Sequence, residues 1–188
     1  MEVKNTKILV IPGLGGSGEN HWQSFWLKKF NNSKEVVQDD WDAPQLKNWL
    51  NKLNDSILKL DAPTILVAHS LAVSLVLHWV SKYSNPYVIG ALLVAPADVD
   101  STSHTPEIIR GFSVMPTLKI SFPSIVVASE NDEFVSIERA KFFSEQWGSD
   151  FVNIGFKGHI NSDSNLKDWE EGQIILDKLI MKTEDEKK

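Results

Sequence analysis

Ile65-Leu66-Val67-Ala68-His69-Ser70-Leu71-Ala72 reads as a buried strand that breaks at a serine and runs on as an apolar helix through Leu75, Val76, Trp79 and Val80. A serine hydroxyl is a weak nucleophile until a base takes its proton and the backbone presents it. A sharp strand-to-helix turn with small residues on either side does the presenting, because the helix packs back on the strand. The usual flanking glycines are Ala68 and Ala72 here, which crowds the turn without forbidding it. Taken alone, the stretch could also be an ordinary serine at a helix start.

Two further strand ends strengthen the reading. Asp132 follows Ile125-Val126-Val127-Ala128-Ser129-Glu130-Asn131, and His159 follows Phe151-Val152-Asn153-Ile154-Gly155-Phe156-Lys157-Gly158. Each taken alone could be a plain turn. Together they give the order nucleophile, acid, histidine, which is the chain order of α/β-hydrolases and of neither the chymotrypsin nor the subtilisin arrangement. Asp98, after Ala91-Leu92-Leu93-Val94-Ala95-Pro96, is the main rival acid; Asp100 and Asp163 rank lower.

The rest of the chain supplies a matching frame. Apolar, β-branched runs at 7–11, 35–38, 64–68, 89–94, 124–129 and 151–154 predict six strands, apolar throughout as strands buried on both faces should be. Helical spacing falls between them: 44–60 with Leu46, Trp49, Leu50, Leu53, Ile57 and Leu60 on one face; 136–147, opening at Ser136; and 166–181 with Leu166, Trp169, Ile175, Leu176 and Leu179. Alternating strands and helices predict a three-layer α/β/α sandwich around a parallel sheet of order 2-1-3-4-5-6. Segment 99–121 fits neither period and is expected to form a short helix and loop at the site's edge, too small for a full lid. One domain over 1–181 and a disordered charged tail over 182–188 are expected.

Composition narrows the classes. A net charge of −6 argues against nucleic acid and gives no basic stripe for a membrane. No cysteine is present, which removes disulfides, thiol nucleophiles and thiolate metal sites. Histidine spacing resembles no metal site, and no cofactor is expected. The N-terminus shows no signal-peptide apolar core, and the greasy stretch Leu66 to Val80 is too short to span a bilayer, so a soluble cytoplasmic protein is expected.

The loop Pro12-Gly13-Leu14-Gly15-Gly16-Ser17-Gly18 admits two readings. Its backbone could furnish an N–H group for the oxyanion, with Leu14 the first choice and Gly13 the second, beside the N–H of Leu71. It also spells the dinucleotide fingerprint, with Asp39 or Asp40 about 20 residues on. Pro12 and His21-Trp22 are unusual for a pyrophosphate turn, and that reading leaves Ser70, Asp132 and His159 unexplained. The remaining histidines have structural readings: His21 as a helix opener, His69 with its side chain turned from the nucleophile, His78 in the helix interior, His104 in the irregular segment. Most tryptophans match helix faces and read as core; Trp41 and Trp169 are the two that could reach a substrate pocket.

With Ile11-Pro12-Gly13-Leu14-Gly15-Gly16-Ser17, His21-Trp22-Gln23-Ser24, Asp40-Trp41-Asp42-Ala43-Pro44, Ala68-His69-Ser70-Leu71, Ala128-Ser129-Glu130-Asn131-Asp132, Trp147-Gly148 and Gly158-His159-Ile160-Asn161 in view, the chain resembles the small serine hydrolases typified by retinoblastoma-binding protein 9. The resemblance implies the α/β-hydrolase fold without a lid and a Ser70, Asp132, His159 triad. It departs at Ala72, where glycine is usual, at Glu133, where proline is usual after the acid, and at Asn165-Leu166-Lys167-Asp168-Trp169, which has lost expected glycines. The retinoblastoma-binding motif needs a cysteine, so that partner is not implied. The expectation is a carboxylesterase-like serine hydrolase acting on small esters, with amides open to the same machinery. Its partners would be small-molecule substrates, its state monomer or weak dimer. The alternatives are a catalytically weak binding module of the same fold and the dinucleotide-binding protein.

Overall fold

The structure, a computed structural model, describes residues 6–185. Residues 1–5 of the expected leaderless start and 186–188 of the expected tail lie outside the described residues.

All six strands are parallel: β1 (Lys7–Ile11), β2 (Ser33–Glu35), β3 (Thr64–His69), β4 (Val88–Val94), β5 (Ser124–Ala128) and β6 (Asp150–Asn153). Their order is β2-β1-β3-β4-β5-β6, as the sequence implies. The apolar runs divide with period two between two cores. Leu9, Ile11, Leu66, Ala68, Ala91, Leu93, Val126 and Ala128 face the layer of α2 (Leu46–Ile57), α3 (Leu71–Val80) and α4 (Ile137–Trp147). Ile8, Val10, Ile65, Val67, Leu92, Val94, Ile125 and Val127 face the layer of α1 (Trp22–Lys29) and α5 (Glu170–Asp185). Helices on both faces leave the four inner strands no polar side, which is why they do not alternate; the edge strands depart from the expected apolar runs, with Lys34, Glu35, Asp150 and Asn153 exposed.

Boundaries differ in several places. The helix expected over 44–60 spans only Leu46–Ile57. β2 lies at 33–35, ahead of the apolar 35–38; Val36 still bonds Val10 O at 2.9 Å and is fully buried, but Val37 is exposed. Leu166 and Trp169 precede the last helix, which starts only at Glu170. That helix also runs on to Asp185, so 182–185 are helical, not a disordered tail.

Segment 99–121 carries one short 3₁₀ helix, Glu107–Phe112, packed against α3, whose Ser74 and His78 reach the Phe112 carbonyl. Arg110 staples it, donating to Val99 O at 2.8 Å, Ser101 O at 2.7 Å and Thr105 O at 2.6 Å. No helix among the described residues is long and apolar enough to cross a membrane.

Candidate active site

Ser70 occupies a conformation that L residues rarely adopt, φ 59° and ψ −122°. Strain of this kind costs about 1–3 kcal/mol and persists only where the surroundings enforce it. Here the Ser70 N–H is held by Val94 O at 3.0 Å, and its carbonyl accepts from Val73 at 3.0 Å. Gly13 leans on the turn: a Cβ there would stand 2.9 Å from His69 O and 3.0 Å from Ser70 Cβ. Only glycine fits so close an approach, and Ala72, fully buried, is accommodated without displacing the turn.

The turn delivers the hydroxyl to His159. Ser70 Oγ–H donates to Nε2 at 2.7 Å, and Nδ1–H donates to Asp132, whose two oxygens both stand at 2.9 Å. The Asp132 side chain is fully buried and also accepts from Phe134 N–H at 2.9 Å. Phe134 lies against the His159 ring, centroids 4.4 Å apart. The rival Asp98 faces elsewhere, taking Arg139 Nε at 2.8 Å and Nη2 at 3.2 Å. Asp100 accepts from Ser113 and Met115, which leaves both on the structural side.

Several groups that sequence reasoning read as bland hold the histidine in place. His69 Nε2–H donates to the His159 carbonyl at 2.9 Å, and Trp22 Nε1–H donates to Ile160 O at 2.8 Å. Asn131 Oδ1 accepts from Gly158 N–H at 2.8 Å, and Ser129 Oγ from Lys157 N–H at 2.9 Å. Gln23, fully buried, donates to Ile11 O and Val67 O while accepting from Ser17. The bonds of Trp22 and Gln23 reach Ile160, Val67 and Ile11, 138, 44 and 12 positions away, beyond the reach of a local pattern.

The glycine loop faces Ser70. Gly15 N–H bonds Trp41 O at 2.9 Å and Gly16 N–H bonds Gly13 O at 3.0 Å, so those two amides serve the loop itself. Leu14 and Leu71 line the cavity with Gly16, His21, His69, Ala97, Pro106, Ile109, Phe134, His159, Asn161 and Ser162; its volume is about 230 Å³. For a dinucleotide the loop is badly placed: Gly13 is pressed on the Ser70 turn, Asp40 Oδ1 accepts from Asp42 and Ala43, and Asp39 pairs with Lys52. Neither Trp41 nor Trp169 lines the cavity. Trp41 covers Gly16 and meets Trp49; Trp169 packs with Trp22 and Trp26.

Burial governs the neighbouring imidazoles. His21 is pushed down to about 4, mainly by burial and then by His159; its ring lies 4.7 Å from that of His69. His69 is held well below the usual histidine range by burial, then by His21 and His159. Neutral rings fit the bonds seen, since His69 needs one N–H for the His159 carbonyl. His78 and His104 tie helix and loop to the carbonyls of Phe112 and Glu133. Among the described residues no cluster of His, Cys, Asp or Glu could hold a metal ion.

A strained serine at the carboxyl edge of a parallel 2-1-3-4-5-6 sheet, facing a histidine and a buried aspartate, is the arrangement of an α/β-hydrolase. Within that class, the serine hydrolase family model matches residues 8–178, so the chain belongs to the serine hydrolase family and is a hydrolase. YdeN of Bacillus subtilis (strain 168), a hydrolase candidate, is 24% identical over 169 residues, covering 85% of this chain and 88% of YdeN. The crystal structure of a YdeN-like hydrolase candidate from Pectobacterium atrosepticum SCRI1043 superposes with a TM-score of 0.85 at 27% identity, covering 96% of this chain and 93% of that one. Est1E from Butyrivibrio proteoclasticus shares the fold at TM-score 0.65 and 16% identity, covering 93% and 90%.

Proposed function

We propose that the protein hydrolyses small carboxylic esters through an acyl-enzyme on Ser70. The observation that carries this reading is the unbroken chain Ser70 Oγ, His159, Asp132, with links of 2.7 and 2.9 Å. As Oγ attacks the ester carbonyl carbon, its proton passes to His159 Nε2. Asp132 fixes the tautomer and steadies the imidazolium without itself taking the proton. The carbonyl oxygen becomes an oxyanion between the N–H groups of Leu71 and Leu14, each such donor contributing about 100- to 1000-fold. The carbon–oxygen bond to the alcohol then breaks, and Nε2–H protonates the departing oxygen. Water repeats the sequence on the acyl-enzyme, with His159 again the base, which releases the acid and frees Ser70. General-base help of this kind contributes about 100- to 10,000-fold. Residues of this chain supply every step, with no cofactor called for. Amides would need the same steps with a poorer leaving group.

A fluorophosphonate probe tests the reading. Stoichiometric labelling that Ser70→Ala abolishes, with p-nitrophenyl acetate turnover lost in parallel, is the expected result. A folded protein that the probe does not touch overturns it in favour of the binding module.

A further inference from the structure

The cavity has two chemically different walls, because it opens across both faces of the sheet. Leu71, Ala97 and Ile109 belong to the core under α2, α3 and α4, and Phe134 packs against that layer. On the other side the lining residues are His21, Asn161 and Ser162, whose chain neighbours Trp22 and Ile160 belong to the core under α1 and α5. One wall is apolar and the other is polar but uncharged. Among the described residues no Lys, Arg, Asp or Glu lines the cavity.

His21 carries the chemistry of the polar wall. Its Nδ1 caps α1 by accepting from Gln23 N–H at 3.2 Å. A neutral imidazole that accepts at Nδ1 must carry its proton on Nε2. Nε2 lies on the opposite edge of the ring, is buried, and has no hydrogen-bond partner among the described residues. The residue is only 4% exposed. A buried donor without a partner costs about 1–3 kcal/mol, and a ligand acceptor would recover it. Its low proton affinity keeps the ring neutral at pH 7. A carboxylate would meet no fixed cation here, so the fitting acceptor is an uncharged hydroxyl or carbonyl oxygen.

The mechanism fixes which half of the ester meets this wall. His159 Nε2 must deliver its proton to the departing alcohol oxygen, so the alcohol lies on the side of His159, where Asn161 and Ser162 stand two and three positions on. The acyl group is left the apolar wall. A volume of about 230 Å³ lies below the roughly 300–1,000 Å³ of most ligand sites and keeps both halves short. Resting on the ester reading above, we propose that His21 is a specificity residue. It selects esters of short apolar acids with alcohols that bear a further hydroxyl or carbonyl, which accepts from Nε2–H.

The test compares glycerol monoacetate with propyl acetate, following acetate release. The wild type is expected to favour the glycerol ester in kcat/KM by about tenfold, the size of one hydrogen bond made to a buried donor. His21→Asn keeps an oxygen to cap α1 and loses the ring, and the ratio should fall toward one. His21→Phe, which keeps a ring and loses both nitrogens, should bring the same fall and serves if His21→Asn fails to fold. A wild-type ratio near one, or a ratio that His21→Asn or His21→Phe leaves intact, overturns the inference. If Ser70 still takes the fluorophosphonate label in that case, the serine hydrolase reading stands and only the specificity fails. Loss of labelling and of both ester activities would sink the two together.

Discussion

Two aspartates sit at the carboxyl ends of neighbouring strands, Asp98 after β4 and Asp132 after β5. Both are buried, and their loops are stitched together at Phe134: its carbonyl accepts from Asp98 N–H at 3.0 Å while its N–H donates to Asp132 at 2.9 Å. Their partners differ. Asp132 meets an imidazole that also receives the Ser70 hydroxyl; Asp98 meets a guanidinium that packs over the Phe143 ring at 4.4 Å. A carboxylate beside an imidazole can orient a proton carrier. One beside arginine, which does not release its proton, can only hold structure. Burial and strand position therefore do not separate the proposed acid from its rival; the partner does.

The largest break in this comparison is Asp132→Asn. The amide keeps the shape but loses the charge and the tautomer control, and such a change costs about 10,000-fold in kcat. An ester assay on the folded variant, with its Tm close to wild type, is the expected pair of results. Retention of wild-type turnover would remove Asp132 from the mechanism.

Acid separates the two regions next. His21 has a folded value of about 4 against an ordinary 6.5, so between those pH values the unfolded chain binds more protons than the folded one. Stability then rises with pH across that window, and it falls as the solution is acidified from 6.5 through 4, by about 3 kcal/mol from this residue. His69, depressed by the same burial, acts with the same sign. Arg139, held above its ordinary value by Asp98, stays charged throughout and adds nothing there. Tm measured from pH 7 to pH 4 should drop in the wild type and drop less in His21→Asn. Equal slopes would mean that these rings are not buried neutral.

The sequence exposed one aspartate more clearly than the other, and the reason is physical. Chain order and strand ends point to Ser70, Asp132 and His159, which the fold brings within hydrogen-bond distance, because a strand-to-helix turn and parallel crossovers leave local marks. The sheet order followed from the same crossovers. The Arg139–Asp98 pair left no mark, since its partners are forty-one positions apart. Strain was equally hidden. Where the family's expected glycines are missing, Asn165, Lys167 and Trp169 stand at φ 50°, 52° and 43°. The turn survives the loss of glycine because Trp169 is clamped: its N–H bonds Leu166 O at 2.8 Å, and its ring covers Gly172, where a Cβ would stand 2.2 Å from a ring carbon. Propensity alone cannot foresee a strained loop that tertiary packing pins. The same limit hid His69 and Trp22, whose bonds to the His159 loop exist only in the folded chain.

Asp98→Asn is the finest cut. Its side chain is 4% exposed, whereas that of Arg139 is 37% exposed, so the guanidinium keeps part of its hydration when the charge opposite is removed. A fully buried pair broken on one side costs about 3–5 kcal/mol. Here Arg139 can also turn to Asp100, already 3.7 Å away, which lowers the expected loss to about 1–3 kcal/mol. In a chain of this size that is a Tm lower by about 2–10 °C. Turnover should stay within a few-fold of wild type, because Asp98 bonds neither Ser70 nor His159, and the N–H that bonds Phe134 O survives the substitution. The two variants thus move opposite readouts, rate for Asp132 and melting for Asp98. If Asp98→Asn abolished ester turnover in a folded protein, the geometric assignment of the acid would be reversed, and partner identity would no longer distinguish the two carboxylates.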